Sequence, residues 1–514
     1  MLRFLITLPF FFFEAGQLFA QPSIQWQKAL GGNSIEEANS IQQTNDGGYV
    51  MAGLARYNNG DVSGVHGETD FWVVKLNNAG QVQWQKALGG SAYDIAYSVK
   101  STNDEGYVVV GLTYSNDGDV TGIHGDSDFW VVKLTNHGAI QWQKALGGSG
   151  EDVARSVQQT TDGGYIVAGW SYSNDGDAVG NTGYHYWVVK LNNLGALEWQ
   201  KSYGGSGGEN AHCVVQTSDG GYVVAGQTFS NDGDVSGSHG GSEYWVVKLS
   251  SLGDIQWQKA LGGCCIEQAF SIVQTSDGGY AVVGTTGSYN SGQVSGGYGL
   301  FDCWVVKLND TGDLQWQKAL GGNSEDYGSS IMQTDDGGYI VGGTTYSIDG
   351  DVTDNDGGVD YWILKLNSDG DLQWQKTLGG SDTEISSGVQ QTSDGGYVIC
   401  GYSHSYDGDV TGFHGARDAW IVKLSPESSP TTTVPSVPLE IFPNPGSGLI
   451  TLSLPGEPSS LTLSISDLLG RELSRQTIAP GDPVDTSTLV NGFYLLTATT
   501  PSGKVFSGKF RKQE

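Results

Sequence analysis

Short segments of alternating apolar and polar residues run through most of the chain, separated by turns rich in glycine, asparagine and aspartate. Val82 and Trp84, for example, alternate with glutamines, which is the two-residue period of a half-buried strand. Asp46-Gly47-Gly48 stands between two other β-rich runs and predicts a tight hairpin, because glycine accepts the positive φ that such a turn needs. No stretch between the tryptophans has a sustained helical period, so the pattern predicts an all-β protein.

Two tryptophan segments return at a nearly constant spacing. Ile-Gln-Trp-Gln-Lys-Ala-Leu-Gly-Gly and its variants recur every 57 to 59 residues, and aromatic-Trp-Val-Val-Lys-Leu follows the same period. Together they hold fourteen of the fifteen tryptophans, with Trp170 as the exception. The first set is Trp26, Trp84, Trp142, Trp199, Trp257, Trp316 and Trp374, and the second is Trp72, Trp130, Trp187, Trp245, Trp304, Trp362 and Trp420. A fixed period of this kind indicates a repeat architecture.

Each repeat contains four predicted strands, which in the first repeat are residues 40–44, 49–54, 71–76 and 81–88. Four strands in about 58 residues favour a β-propeller blade, with a β-solenoid as the alternative. The chain starts with an isolated fourth strand, residues 24–30, and the seventh repeat stops after its third strand at Leu424. A ring uses such complementary ends, because the first strand can complete the last blade. We therefore predict a closed seven-bladed β-propeller over residues 21–424.

Two hairpins carry local resemblances to propeller families. Thr217-Ser218-Asp219-Gly220-Gly221 resembles the Asp-box turn of sialidase-like propellers. The segment from Leu76 to Gly80, continuing to Trp84, is similar to the docking segment of quinoprotein-like propellers, in which a tryptophan packs between blades. Both elements are structural in their families, so neither resemblance implies an activity.

The two ends of the chain differ from the repeats. Arg3, an apolar run and a small residue at Ala20 predict a signal peptide over residues 1–20, and no later segment has the length and apolarity of a membrane span. Residues 425–438 are a Pro/Ser/Thr linker, which lacks the apolar residues for a core. Residues 439–514 follow without the repeat.

The C-terminal segment has three motifs in a fixed order. They are Pro443-Asn444-Pro445, then Asp467 to Gly470-Arg471, and then Gly492-Phe493-Tyr494, followed by a basic end. This succession resembles the type A C-terminal sorting domain of bacterial type IX secretion. The resemblance implies a small β-sandwich that the secretion machinery recognises as a partner, and delivery outside a Gram-negative cell, either secreted or at the outer-membrane surface.

Composition narrows the choice of partners. Acidic residues outnumber basic ones by 56 to 25, a net charge of −31, so nucleic acid and anionic lipid surfaces should be repelled. Fourteen of the fifteen propeller lysines occupy repeat positions, Lys100 being the exception, and the propeller has only three arginines, Arg56, Arg155 and Arg417. The five cysteines show neither zinc spacing nor a disulfide framework.

The loop between the second and third strands has the spacing of a calcium loop. Oxygen-bearing residues stand at positions 1, 3, 5 and 12 around a glycine at position 6, as in an EF-hand-type loop. The best matches are Asp117, Asp119, Thr121 and Asp128 in the second repeat, Asp232, Asp234, Ser236 and Glu243 in the fourth, and Asp407, Asp409, Thr411 and Asp418 in the seventh. Calcium is one interpretation; an Asx-turn loop without a metal is the other.

The sequence favours binding over catalysis. It contains no nucleophile elbow, P-loop, HExxH or dinucleotide fingerprint, and the repeats are nearly identical, whereas an active site normally breaks symmetry. The recurring histidines His66, His124, His239 and His414 are interpreted as polar turn residues. We therefore predict an exported binding or adhesion scaffold with an extracellular glycan or protein ligand. A hydrolase or lyase acting on extracellular polysaccharide is the alternative, and a structural surface component is a third.

Overall fold

The computed structural model describes residues 21–180, 183–355, 357–427, 437–453, 461–466, 472–479, 481–500 and 504–513. The predicted signal peptide and most of the predicted linker lie outside the described residues. Residues 21–427 form one compact unit, and a second unit follows them in the chain. Every regular element among the described residues is a β-strand, which confirms the all-β prediction. No helix with the length and apolarity to cross a membrane occurs among the described residues.

The first unit contains twenty-eight strands of similar length. In chain order they are β1 Ile24–Leu30, β2 Glu36–Gln43, β3 Tyr49–Ala55, β4 Asp70–Leu76, β5 Val82–Leu88, β6 Asp94–Ser101, β7 Tyr107–Thr113, β8 Asp128–Leu134, β9 Ile140–Leu146, β10 Asp152–Gln159, β11 Tyr165–Ser171, β12 His185–Leu191, β13 Leu197–Tyr203, β14 Glu209–Gln216, β15 Tyr222–Thr228, β16 Glu243–Leu249, β17 Ile255–Leu261, β18 Glu267–Gln274, β19 Tyr280–Thr286, β20 Asp302–Leu308, β21 Leu314–Leu320, β22 Asp326–Gln333, β23 Tyr339–Thr345, β24 Asp360–Leu366, β25 Leu372–Leu378, β26 Glu384–Gln391, β27 Tyr397–Ser403 and β28 Asp418–Leu424.

These strands form seven four-stranded antiparallel sheets, counted over the described residues. Six of them, beginning with β2-β3-β4-β5, use four consecutive strands, and the seventh has the order β1-β28-β27-β26. The N-terminal strand thus completes the last blade by pairing with β28. The first strand of each blade packs against the blade before it, all the way around the ring. The structure confirms the predicted propeller and the predicted closure.

The closing strand makes the same bonds as the fourth strand of any other blade. In the first blade, Trp72 Nε1 donates to Gln85 Oε1 at 2.9 Å. In the last blade, Trp420 Nε1 donates to Gln27 Oε1 at 2.8 Å across the junction of the two chain ends. The third-strand tryptophans are fully buried, so each indole needs this acceptor inside the blade. The blade that closes the ring therefore keeps the same tryptophan–glutamine hydrogen bond as the other blades.

Neighbouring blades are joined by the tryptophan of the fourth strand. Trp26 packs on Tyr49 of the next blade with ring centroids 5.5 Å apart. It also covers Gly80, where φ is +72° and a methyl group would lie 2.7 Å from the indole. Glycine is required there for both reasons. The tryptophan thus lies between blades, as the resemblance to the quinoprotein docking segment implies.

An ion pair between a buried lysine and a half-exposed aspartate repeats in all seven blades. In the first, Lys75 Nζ lies 2.9 Å from Asp46 Oδ2, and the lysine side chain is 4% exposed. The amine also donates to the Leu76 carbonyl at 3.0 Å. Asp46 in turn accepts from the Gly48 amide at 3.0 Å within the hairpin. The Asp-Gly-Gly turn is thereby tied to the third strand.

The described residues of the C-terminal unit form eight strands of two to eight residues each. They are β29 Val437–Pro438, β30 Glu440–Phe442, β31 Leu449–Ser453, β32 Leu461–Ser466, β33 Glu472–Ile478, β34 Val484–Asp485, β35 Gly492–Thr499 and β36 Val505–Lys512. A five-stranded sheet, β29-β36-β35-β32-β33, and a three-stranded one, β30-β31-β34, contribute to a single core that includes Ile450, Leu463, Leu496 and Phe510. Two sheets around one core agree with the predicted β-sandwich.

Candidate functional site

The first strands of the blades line the central channel, and one of their positions does not follow the repeat. We call the end of the channel at which these strands begin the channel mouth. The fourth residue of the first strand is of six different types in the seven blades, whereas most buried positions of the blades recur. In order, these residues are Asn39, Tyr97, Arg155, His212, Phe270, Ser329 and Ser387. The symmetry of the ring is therefore broken inside the channel.

Four of these blades contribute to a continuous cluster of rings around one guanidinium. The Cζ atom of Arg155 lies 4.1 Å from the ring centroid of Tyr97 and 5.2 Å from that of Trp170. Trp170 contacts His212 with centroids 6.0 Å apart, and His212 contacts Phe270 at 5.2 Å. We call these five residues the channel cluster. An arginine over aromatic faces is held by cation–π attraction. The Tyr97 hydroxyl also bonds to the guanidinium, and the remaining N–H donors of its fork can meet another partner.

Burial decides which members of the channel cluster are charged. It lowers the pKa of His212 to about 3, and the adjacent Arg155 contributes in the same direction. Burial also raises the pKa of the Tyr97 hydroxyl and lowers the pKa of the Arg155 guanidinium, which still stays protonated at neutral pH. Arg155 is thus the one charged group of the channel cluster at neutral pH.

A second arginine near the mouth has a different environment. Arg417 forms an ion pair with Glu37 and donates from Nε to His404 Nε2 at 2.9 Å. Its guanidinium also lies 4.3 Å from the ring centroid of Tyr402. Its charge is already balanced within the protein, in contrast to that of Arg155.

Aromatic side chains form a partial rim around the mouth. The residue after the second strand is exposed and aromatic in four blades, with exposed fractions of 43% for Tyr114, 55% for Tyr172, 51% for Phe229 and 40% for Tyr346. Tyr114 and Tyr172 also line a cleft of about 650 Å³ together with Tyr184 and Glu151. Tyr184 donates its hydroxyl to Glu151 at 3.3 Å. Exposed rings of this kind on a concave surface are typical of a binding site.

The channel also contains a cavity with polar and apolar walls. It has a volume of about 610 Å³ and is lined by the first strands of all seven blades, with serine and glutamine side chains beside valine and isoleucine. Lys100, the lysine outside the repeat positions, also lines this cavity, and burial lowers its pKa. The two exceptions noted in the sequence are thereby located, because Trp170 belongs to the channel cluster and Lys100 lines this cavity.

The structure does not gather the predicted calcium residues of one loop at one point. Asp117 Oδ1 accepts from the Ser91 amide at 2.7 Å, Asp119 Oδ2 faces the Gly89 amide at 3.4 Å, and Thr121 accepts from Gln143. Asp128 Oδ2 accepts from the amide and the ring of His124. Among the described residues, no three His, Cys, Asp or Glu side chains form a group that could hold a metal ion. Calcium binding stays a prediction.

The other two predicted loops follow the same plan. Each of their residues bonds to the equivalent of its partner in the second blade. The first and last residues of each loop therefore lie at two different blade junctions. The pairs are Asp232 with Ser206, Asp234 with Gly204, Ser236 with Gln258, Glu243 with His239, Asp407 with Ser381, Asp409 with Gly379, Thr411 with Gln27 and Asp418 with His414.

The junctions between blades hold buried pairs of acids that the sequence did not predict. A methyl group on Gly89 would lie 2.5 Å from Asp94 Oδ2 and 3.0 Å from Asp70 Oδ1, and both aspartates are fully buried. Burial raises the pKa of Asp94 to about 6, and Asp70 adds to the shift. His66 Nδ1 lies 2.9 Å from Asp70 Oδ2, which gives the recurring loop histidine a structural partner. The first glycine of Leu-Gly-Gly leaves room for this pair.

A known family matches the C-terminal unit, and other proteins are similar over longer parts of the chain. Residues 440–510 match the family described as the secretion system C-terminal sorting domain, which confirms the resemblance seen in the motifs. Regulatory protein FlaEY of Caulobacter vibrioides is 29% identical over 164 residues, which cover 30% of this chain and 17% of that protein. The chain thus spans less than a fifth of this relative. A sorting domain of this type implies type IX export from a Gram-negative cell.

Solved structures are similar at low identity. The extracellular domain of a hybrid two-component system from B. thetaiotaomicron is 9% identical with a TM-score of 0.41, over 93% of this chain and 57% of that chain. The WD40 domain of Pan2 from Neurospora crassa is 10% identical with a TM-score of 0.42, over 77% of this chain and 95% of that chain. The propeller assignment rests on the sheet order and closure, not on these likenesses.

Proposed function

We propose that the propeller is an exported binding scaffold that holds an extracellular glycan at the channel mouth. The observation that carries the proposal is where the repeat breaks. Ion pairs, tryptophans and turns recur around the ring, while the channel cluster and the aromatic rim vary from blade to blade. A residue that only supports a blade has no reason to differ from its six equivalents, whereas a site for one asymmetric ligand does.

The chemistry of the mouth favours a sugar polymer. Tyrosine and phenylalanine rings offer flat apolar faces against which pyranose rings stack, and tyrosine hydroxyls add hydrogen bonds at low entropic cost. Tyr114, Tyr172 and Tyr184 border one open cleft, and the rings of Tyr172 and Tyr184 lie 4.7 Å apart. An open cleft with several rings suits a chain of sugars better than a small enclosed metabolite.

The test is a glycan array with the mature full-length protein, followed by titration of the glycans that bind. Tyr114→Ala and Tyr172→Ala should each weaken binding by about two- to tenfold in Kd. Leu194→Ala is the matched control, because Leu194 is 72% exposed in the turn after the third strand, at the opposite end of the blade. Equal effects of all three substitutions, or no glycan bound, would contradict the proposal. Cleavage of a bound glycan would instead establish the hydrolase or lyase alternative.

A further inference from the structure

Among the described residues, no carboxylate oxygen lies within 4.0 Å of the Arg155 guanidinium. The two acids that act electrostatically on Tyr97 are Glu37 and Glu151, and they are engaged by Arg417 and Tyr184 respectively. A half-buried arginine without a counter-ion is costly, since its charge has lost part of its hydration. Such a group is retained where a ligand supplies the missing charge.

The surroundings of Arg155 prepare it for an anion. The rings of Tyr97 and Trp170 fix the guanidinium through its flat face, so little side-chain entropy remains to be lost on binding. His212 is neutral at physiological pH and adds no competing charge. The partly desolvated position also strengthens a charge-assisted hydrogen bond, and the fork of N–H donors matches a carboxylate.

We propose that Arg155 is an anion-binding group of the channel mouth and that the bound glycan carries carboxylate groups, as a polymer of uronic acids does. This inference rests on the proposed function and specifies its ligand. The attraction of an acidic polymer has to be local, because the protein's net charge of −31 repels acidic polymers in general. Recognition of such a polymer therefore requires a specific cationic group, and Arg155 is the one in the channel cluster.

The probe is a galacturonic acid oligomer, titrated calorimetrically into the full-length mature protein, with its methyl ester and a neutral oligomer of equal length beside it. The acid form should bind at least about tenfold more tightly than the ester. Arg155→Gln should lose about 10- to 100-fold in affinity for the acid form and little for the ester. Arg155→Lys, which keeps the charge without the fork, should fall between the two. Lys144→Gln is the control, because it removes one exposed positive charge from the outer strand β9.

The outcomes separate the two proposals. Equal binding of acid, ester and neutral oligomer, unchanged in Arg155→Gln, would overturn the anion site and leave the glycan-binding scaffold intact. A polyglutamate peptide that binds as tightly as the acidic oligomer would overturn the assignment to a glycan. Failure to bind any glycan would overturn the proposed function and this inference together. Melting curves establish that each variant is folded, and if Arg155→Gln is not, Arg155→Lys supplies the comparison.

Discussion

The buried lysine of each blade allows a direct test of how the ring is stabilised. In the fourth blade, Lys248 is 4% exposed and its Nζ lies 2.8 Å from Asp219 Oδ2. Asp219→Asn removes the negative charge but keeps an oxygen that can accept from the Gly221 amide, a bond of 2.9 Å in the native turn. The substitution therefore leaves the hairpin intact and deprives the lysine of its counter-ion.

The expected loss follows from burial. Breaking a fully buried ion pair costs about 3–5 kcal/mol, but Asp219 is 53% exposed and solvent screens part of its charge. Lys248 also keeps its bonds to the Leu249 carbonyl and to Gln256. We therefore expect a loss of about 2 kcal/mol in the free energy of unfolding. Lys201 and Asp254 provide the matched pair, 2.6 Å apart with side chains 34% and 70% exposed, and Asp254→Asn should cost about 0–1 kcal/mol.

Denaturant unfolding followed by tryptophan fluorescence measures both losses, with melting temperatures as a second measure. The double variant Asp219→Asn/Lys248→Met should be more stable than Asp219→Asn alone, because the uncompensated buried charge has been replaced by an apolar chain of similar length. Equal losses for Asp219→Asn and Asp254→Asn, or a double variant less stable than the single one, would refute this account of the buried pair.

Three further predictions concern closure, pH and calcium. Gln27→Leu and Gln85→Leu remove equivalent indole acceptors and should each cost about 1–3 kcal/mol in denaturant unfolding; a much smaller loss at Gln27 would show that the closing strand is not equivalent to the others. Stability should be greatest near pH 4–5 in melting curves. Burial raises the pKa of Asp94, Asp128 and Asp302 to about 6, so the protonated acids favour the folded state and this contribution is lost as the pH rises from about 4 through 6. Hydrogen bonds from Thr44 and Lys75 lower the pKa of Asp46 to about 2 against the opposing effect of burial, so its contribution is lost as the pH falls from about 4 to 2; a flat profile between pH 4 and 7 would contradict the role of the buried acids. Calcium binding by the loops predicts a higher melting temperature at millimolar calcium in the native protein and a smaller increase in Asp128→Asn, which changes one of the three predicted loops. The absence of a shift in the native protein would remove calcium from consideration.

Most of the fold follows from the sequence because it depends on repeated local rules. The hairpin at Asp46-Gly47-Gly48, the alternation around Trp84 and the mismatched chain ends each have a direct physical consequence that recurs in every blade. The structure adds partners that no local pattern contains, such as the pairing of Lys75 with Asp46, since the two residues are 29 positions apart in the chain. The sorting domain was recognisable for another reason, because its motifs are short, ordered and close together.

The loop between the second and third strands shows how the ring separates residues that are close in the sequence. In a loop between helices, positions 1, 3, 5 and 12 converge on one ion, but here the loop leads from the second strand of a blade into the third. Asp119 lies near Asp70 at one junction, and Asp128 lies near Asp152 at the next. The recurring acids are therefore grouped by neighbouring repeats and not by the loop that contains them. A linear spacing cannot reveal this, because it depends on the curvature of the ring.

The residues of the candidate site at the channel mouth are far apart in the sequence and close together in the ring. Arg155, Trp170 and Lys100 were visible in the sequence as departures from the repeat, but each stood alone in its own blade. The ring brings Tyr97, Arg155, His212 and Phe270 together because they occupy the same position on adjacent first strands, 57 or 58 residues apart in the chain. In a closed propeller, the residues that break the repeat at one strand position must face one another across or around the channel. Departures aligned by repeat position, and not by distance along the chain, are therefore the signal by which a binding site can be located in a sequence of this kind.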